Sequence, residues 1–181
     1  PDLAKPYMEK AEAGLKGGTD QEKQVTAAIR AWVDNDILRA IALTEDIANT
    51  WPHELAIIKA GQYHQFNLGN SPGMLRLINP VMDANADNPY VHGMQAFALE
   101  QCHQLDAAEA AAWKAVELQR KEPWAHHALA HVMLTQGRID EGIRFFDDVR
   151  DTWTDLNSFM YTHNWWHDAV FQISRGHYDA A

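Results

Sequence analysis

Imidazoles recur at helical spacing toward the C-terminal end of the chain. His127 and His131 are four residues apart in Trp124-Ala-His126-His127-Ala-Leu-Ala-His131, and His163 and His167 repeat the step in His163-Asn164-Trp165-Trp166-His167. Side chains four apart on a helix share one face, about a turn from each other. Two such pairs on neighbouring helices make a donor set for Zn²⁺ or another imidazole-favouring metal. The same four rings could act as general bases, with Asn164 orienting a substrate. Neither pair encloses a glutamate where the HExxH motif needs one, so the hydrolytic zinc signature is missing. No G-x-G-x-x-G fingerprint is present, and the glycines of 14–18 follow a helical pattern rather than a strand, so no cofactor is indicated.

The elements that hold these residues follow from a repeat. Asn35, Gly69, His103 and Gly137 are each 34 residues apart, as are Ala40, Met74, Ala108 and Gly142; the same step carries Pro89 onto Pro123. Thirty-four residues is the length of the tetratricopeptide unit, two antiparallel helices joined by a tight turn. One pair cannot bury its own apolar face, so pairs stack. The expected fold is all-α: a tetratricopeptide-like α-solenoid of antiparallel helix pairs, in a right-handed superhelix. It reads as one domain over 1–181, with units 21–54, 55–88, 89–122, 123–161 and an incomplete 162–181. Residues 1–16 are the leftover helix of a preceding unit. After Gly137 the step to Gly176 lengthens to 39, which places five extra residues within 151–161. Both ends look cut, as in an interior fragment of a longer array.

In this register the groove-facing places of the first helix of each unit select Tyr63 and Phe66, Tyr90 and Phe97, then Trp124, His127 and His131. The last unit adds His163, Asn164, Trp166 and His167. A concave face of aromatic and imidazole groups suits a peptide or small molecule. Grooves for acidic peptide termini carry Lys, Arg and Asn, and few basic residues stand here. Each choice has a plainer competitor. Trp124 and Trp165 are large enough to be core, and His53, His64 and His92 read as hydrogen-bonded structural groups. Cys102 reads as packing, and Asp147, Asp148 and Asp151 as a solvated helix face.

Composition bounds the rest. The 181 residues are 46% hydrophobic and 22% charged, which is ordinary globular make-up. A formal charge of −10 with no Lys/Arg run argues against nucleic acid. No apolar stretch is long enough to cross a bilayer, and one cysteine fits a reducing compartment, so a cytoplasmic protein without membrane contact is expected. Local signals agree with helices. Thr19 with Glu22 is a capping box, and Asp106 with Glu109 a weaker one. Ser71-Pro72 looks like a cap followed by proline, and Pro80 should end the helix of 73–81 early.

The stretch from Pro123 resembles the StaR-like family of tetratricopeptide proteins, which includes the vertebrate tetratricopeptide repeat protein thirty-eight. The resemblance rests on Trp124, His126, His127 and His131, then Gln136-Gly137-Arg138, then His163, Asn164 and His167. It covers about 60 residues and implies a larger helical-repeat protein. The expected function is a binding scaffold for a peptide or small molecule. The alternatives are an enzyme or metal-dependent protein using His127, His131, His163 and His167, and a homo-oligomer formed through uncapped array ends.

Overall fold

The computed structural model describes residues 3–181. Among these the chain forms ten α-helices and no strand. They divide into two compact units, the first ending at Asn85 and the second spanning Ala86–Ala181.

The first unit contains α1 (Lys5–Gly14), α2 (Asp20–Val33), α3 (Ile37–Thr50), α4 (Leu55–Asn67) and α5 (Ser71–Ile78). Asp2, expected in the first helix, lies outside the described residues. Thr19 opens α2 with the expected capping box: its hydroxyl accepts from Glu22 N at 3.2 Å, and Glu22 Oε2 takes the Thr19 N–H at 2.7 Å. Proline ends α5 as anticipated, and the chain passes into short 3₁₀ turns at Asn79–Val81 and Asp83–Asn85. Ile47, Ile58, Met74, Leu77, Ile78 and Val81 are buried at its centre. α3 and α4 pack closely at Gly61, where a Cβ would meet Thr44 Cγ2 at 2.4 Å.

The second unit contains α6 (Pro89–Gln101), α7 (Leu105–Leu118), α8 (Pro123–Thr135), α9 (Ile139–Val149) and α10 (Ser158–Arg175), with a 3₁₀ turn at Arg150–Trp153 before α10. α6 lies against α7 and α8, and α8 lies against α9 and α10. Its core is Leu129, Met133, Phe145, Phe146, Val149, Trp153 and Phe171 with small alanines around them. Gly142 exists for that core: a Cβ there would sit 2.1 Å from the Phe171 ring.

The 34-residue period has a conformational cause. Asn35, Gly69, His103 and Gly137 all have positive φ, between 58° and 70°. Each ends the first helix of a pair in the left-handed conformation that closes off a helix and reverses the chain. Glycine and asparagine tolerate this conformation best; His103 adopts it as a less favoured type. Gly176, at φ 85°, closes α10 the same way. The 39-residue step also resolves. α8 begins 14 residues before Gly137, whereas α10 begins 18 before Gly176. Four of the five extra residues are thus one added turn of helix, which nearly preserves facing.

Two expected caps are corrected. Asn70, not Ser71, caps α5 by accepting from Gly73 N at 3.1 Å; Ser71 is already helical. Asp106 makes no cap either, since α7 starts two residues earlier than expected, at Leu105 after Gln104, and Asp106 lies within its first turn. Glu109 is held instead by Arg138, at the start of α9 in the next helix pair, with both contacts at 2.7 Å.

Candidate functional site

The site is built on α6, α8 and α10 of the second unit. α8 is capped by Glu122, whose carboxylate accepts the Ala125 N–H at 2.6 Å, and begins with Pro123. This carboxylate is almost fully buried against α6, which carries Gly93 there; a Cβ at that position would lie 2.3 Å from Glu122 Oε2. α10 starts from Asn157, whose side chain accepts from Met160 N at 3.0 Å. Eight of the thirteen α8 residues are buried, so this helix is enclosed on most sides and its polar groups must find partners inside the protein.

Adjacent histidines of α8 face different surroundings. His126 is completely buried. Its Nδ1 accepts from the Trp153 indole N–H at 3.0 Å, and its Nε2 donates to the Arg120 carbonyl at 2.8 Å. Burial pushes its pKa down to about 4, so the ring is neutral at pH 7. Both ring nitrogens are occupied, and its role is structural. Its place in the Trp124–His131 motif does not reveal this face, because the Trp153 and Arg120 partners come from outside α8.

His127, His131, His163 and His167 come together. One ring nitrogen from each lies within 4.8 Å of those of the others. His163 Nε2 is 3.1 Å from His127 Nε2 and 3.2 Å from His167 Nε2. His131 turns its Nδ1 toward Glu100 on α6, which accepts at 3.1 Å. Glu100 was not anticipated; nothing in its spacing pairs it with His131, because the contact runs between two helices. Burial, with His131 and His163 nearby, pushes the His167 pKa down to about 3, and burial lowers that of His163. His163 and His167 therefore carry lone pairs at neutral pH. His131 Nε2, His167 Nδ1 and Asn164 Oδ1 are buried without a hydrogen-bond partner. Asn164 is fully buried and donates a long hydrogen bond, 3.4 Å, to the Pro123 carbonyl.

Aromatic rings border these imidazoles. Phe97 of α6 is buried with its centroid 5.1 Å from Trp124 and 5.6 Å from His127. Trp124 continues to Phe159 at 6.1 Å. His163 is stacked between Phe159 (5.3 Å, 11°) and Trp166 (5.7 Å, 18°). Phe159 and Trp166 are exposed to 45% and 57%. Trp165, on another side of α10, packs edge-on to Trp153 at 5.3 Å, in keeping with a packing role.

The remaining candidates lie elsewhere. Tyr90 sits at the start of α6, half-exposed, and its hydroxyl receives a 3.4 Å hydrogen bond from Gln119. Tyr63 belongs to the first unit, where its ring is 6.1 Å from Phe66. Two of the three histidines expected to be hydrogen-bonded structural groups are so: His53 Nδ1 pairs with Asn85 Oδ1 at 3.1 Å and His92 Nε2 with the Ala86 carbonyl at 2.7 Å, whereas His64 is buried edge-on to Trp32 with a ring contact instead. Burial raises the Cys102 pKa, which suits packing rather than nucleophilic use. Of the three aspartates expected on a solvated face, Asp151 pairs with Arg120 and Asp147 with Arg150, both at 2.6 Å.

Solved structures resemble this chain at low identity. A tetratricopeptide repeat protein from Parabacteroides merdae aligns with a TM-score of 0.68 at 14% identity, over 93% of this chain and 66% of its own. A thermophilic TPR protein from Thermus thermophilus aligns at 0.66 and 16%, over 88% of each chain. MamA from Desulfovibrio magneticus aligns at 0.63 and 17%, over 87% of this chain and 99% of its own. The fold is tetratricopeptide-like. No family model matches the chain.

The arrangement offers flat rings for stacking, imidazole nitrogens for hydrogen bonding, and a four-nitrogen donor set that could hold a metal such as zinc. Among the described residues, no helix is long and apolar enough to cross a membrane.

Proposed function

We propose that this chain is a helical-repeat binding scaffold, and that the ring-lined face of α6, α8 and α10 is its ligand surface in the second unit. The observation that carries the reading is the run of contacting rings from Phe97 through Trp124 and Phe159 to His163 and Trp166, with its outer members open to solvent. Exposed contiguous rings bordered by polar groups favour a peptide with apolar or aromatic side chains, or a flat small molecule. Solenoids of this kind bind partners along such faces.

The StaR-like resemblance over Pro123 onward belongs with this proposal, as does a cytoplasmic location. The 34-residue step runs from Asn35 to Gly137, through sequence of both units, which supports one repeat domain over 1–181. Peptide selection from a displayed random library tests the binding reading. Sequences enriched on the wild type should lose at least about tenfold affinity on Trp166→Ala or Phe159→Ala, the scale of a lost aromatic anchor. Selection that enriches nothing, or peptides indifferent to both substitutions, would remove this face as the ligand surface.

A further inference from the structure

We propose that His127, His131, His163 and His167 form a binding site for one borderline divalent transition-metal ion, with Zn²⁺ the representative. The inference goes beyond the peptide or small-molecule reading and does not depend on it.

Three observations support it. The first is spacing. Two imidazole ligands on a tetrahedral zinc, at Zn–N of about 2.0–2.1 Å, have nitrogens roughly 3.3 Å apart. His163 Nε2 lies 3.1 Å from His127 Nε2 and 3.2 Å from His167 Nε2, and the fourth donor is within 4.8 Å. Ordinary packing of rings does not need their nitrogens to converge.

The second is proton accounting. A neutral imidazole holds one hydrogen, so each nitrogen is either donor or acceptor. His131 Nδ1 faces the Glu100 carboxylate at 3.1 Å, and its other nitrogen, Nε2, is buried with no hydrogen-bond partner. A cation satisfies it directly. A buried polar atom with no partner costs about 1–3 kcal/mol, so its persistence calls for a reason. In the metal-binding form, His167 presents Nε2 to the ion and carries its hydrogen on Nδ1. Asn164 Oδ1, one turn earlier on α10, is a buried acceptor that lacks a donor.

The third is the support around the donors. A carboxylate on the far nitrogen of a ligating histidine fixes its tautomer and raises its basicity, the usual arrangement around protein-bound zinc. Glu100 stands in that relation to His131. The two pairs sit on rigid helices, four apart on each, so backbone geometry holds the donors before any ion arrives. The donors are all imidazole, which selects zinc, nickel, cobalt or copper over magnesium and calcium, whose sites are built from oxygen. His131 and His163 are only half-buried, which leaves an approach for the ion.

The test is isothermal titration of the chelator-stripped chain with ZnCl₂, and with MgCl₂ as comparison. One zinc per chain should bind, and no magnesium. His163→Ala and His131→Ala should each lower zinc affinity by about 100-fold or more, and Glu100→Gln by about tenfold. His92→Ala, a histidine with its own backbone partner, should leave binding unchanged. Circular dichroism accompanies each variant; the half-exposed His163 and His131 are chosen so that folding is retained, and a variant that unfolds is replaced by the glutamine substitution at the same position. A wild-type chain that binds no zinc overturns the proposal. So does zinc binding that survives both substitutions, which would place the ion elsewhere.

Discussion

The two sides of α8 bury the same chemical group to different ends. On one side, His126 lies in an aromatic core of Phe145, Phe146 and Trp153, and both of its nitrogens are spent on the Trp153 indole and the Arg120 carbonyl. On the other, His131 and His167 retain buried nitrogens with no partner, although several rings and a carboxylate surround them. The lesson is that burial alone does not distinguish a structural histidine from a ligand. What distinguishes them is whether the hydrogen-bonding capacity is used up inside the protein. A group left unsatisfied at a cost in stability is a candidate for function.

Substitutions on the core side should weaken the metal-free protein, and those on the imidazole side should hardly do so. The largest effect is expected for Trp153→Ala, which removes a fully buried indole and the donor to His126. Denaturant unfolding should show a loss of about 3–5 kcal/mol. A loss below about 1 kcal/mol would show that this core tolerates collapse and would blur the contrast.

Acidification comes next. The His126 pKa is depressed in the folded protein, to about 4 from an ordinary 6.5, because burial disfavours the charged ring. The unfolded chain therefore binds the proton more readily. Stability from this group is present above pH 6.5 and is lost as pH falls towards about 4, on the order of 3 kcal/mol in all. His167, also depressed by burial, acts in the same direction and extends further into acid. Urea midpoints measured across that range should fall with pH, and His126→Gln should flatten the curve. An unchanged slope in that variant would remove His126 as the cause.

Trp153→Phe keeps most of the ring volume but deletes the indole N–H, leaving His126 Nδ1 buried without its donor. It should cost about 1–3 kcal/mol in the same assay. The smallest effect is predicted for His163→Ala in metal-free protein, within about 0.5 kcal/mol. Its ring is half-exposed, and its removal relieves the close approach to two other imidazoles. A loss as large as that of Trp153→Phe would make the imidazole side structural too, and the two faces would no longer differ in kind.

Much of this was readable from the chain, for physical reasons. The repeat was visible because a left-handed residue is required wherever the first helix of each pair turns back, so Asn35, Gly69 and Gly137 mark it in the sequence. The pairing of His127 with His131 and of His163 with His167 follows from helical geometry alone. That the pairs meet is a contact between α8 and α10, which the spacing within either helix does not show. Glu100 and Trp153, which give His131 and His126 their different situations, reach them through tertiary contacts with no local signature. Caps fared unevenly for the same reason. Thr19 and Glu22 satisfy each other locally, whereas Glu109 is drawn away by Arg138 from another helix.

The central claim is most directly tested by anomalous diffraction at the zinc edge from crystals grown with one equivalent of zinc. The account predicts a single strong peak within about 2.0–2.1 Å of ring nitrogens from His127, His163 and His167, with His131 Nε2 as the remaining donor. A map with no peak among these four rings, or with zinc only on surface carboxylates, would contradict it.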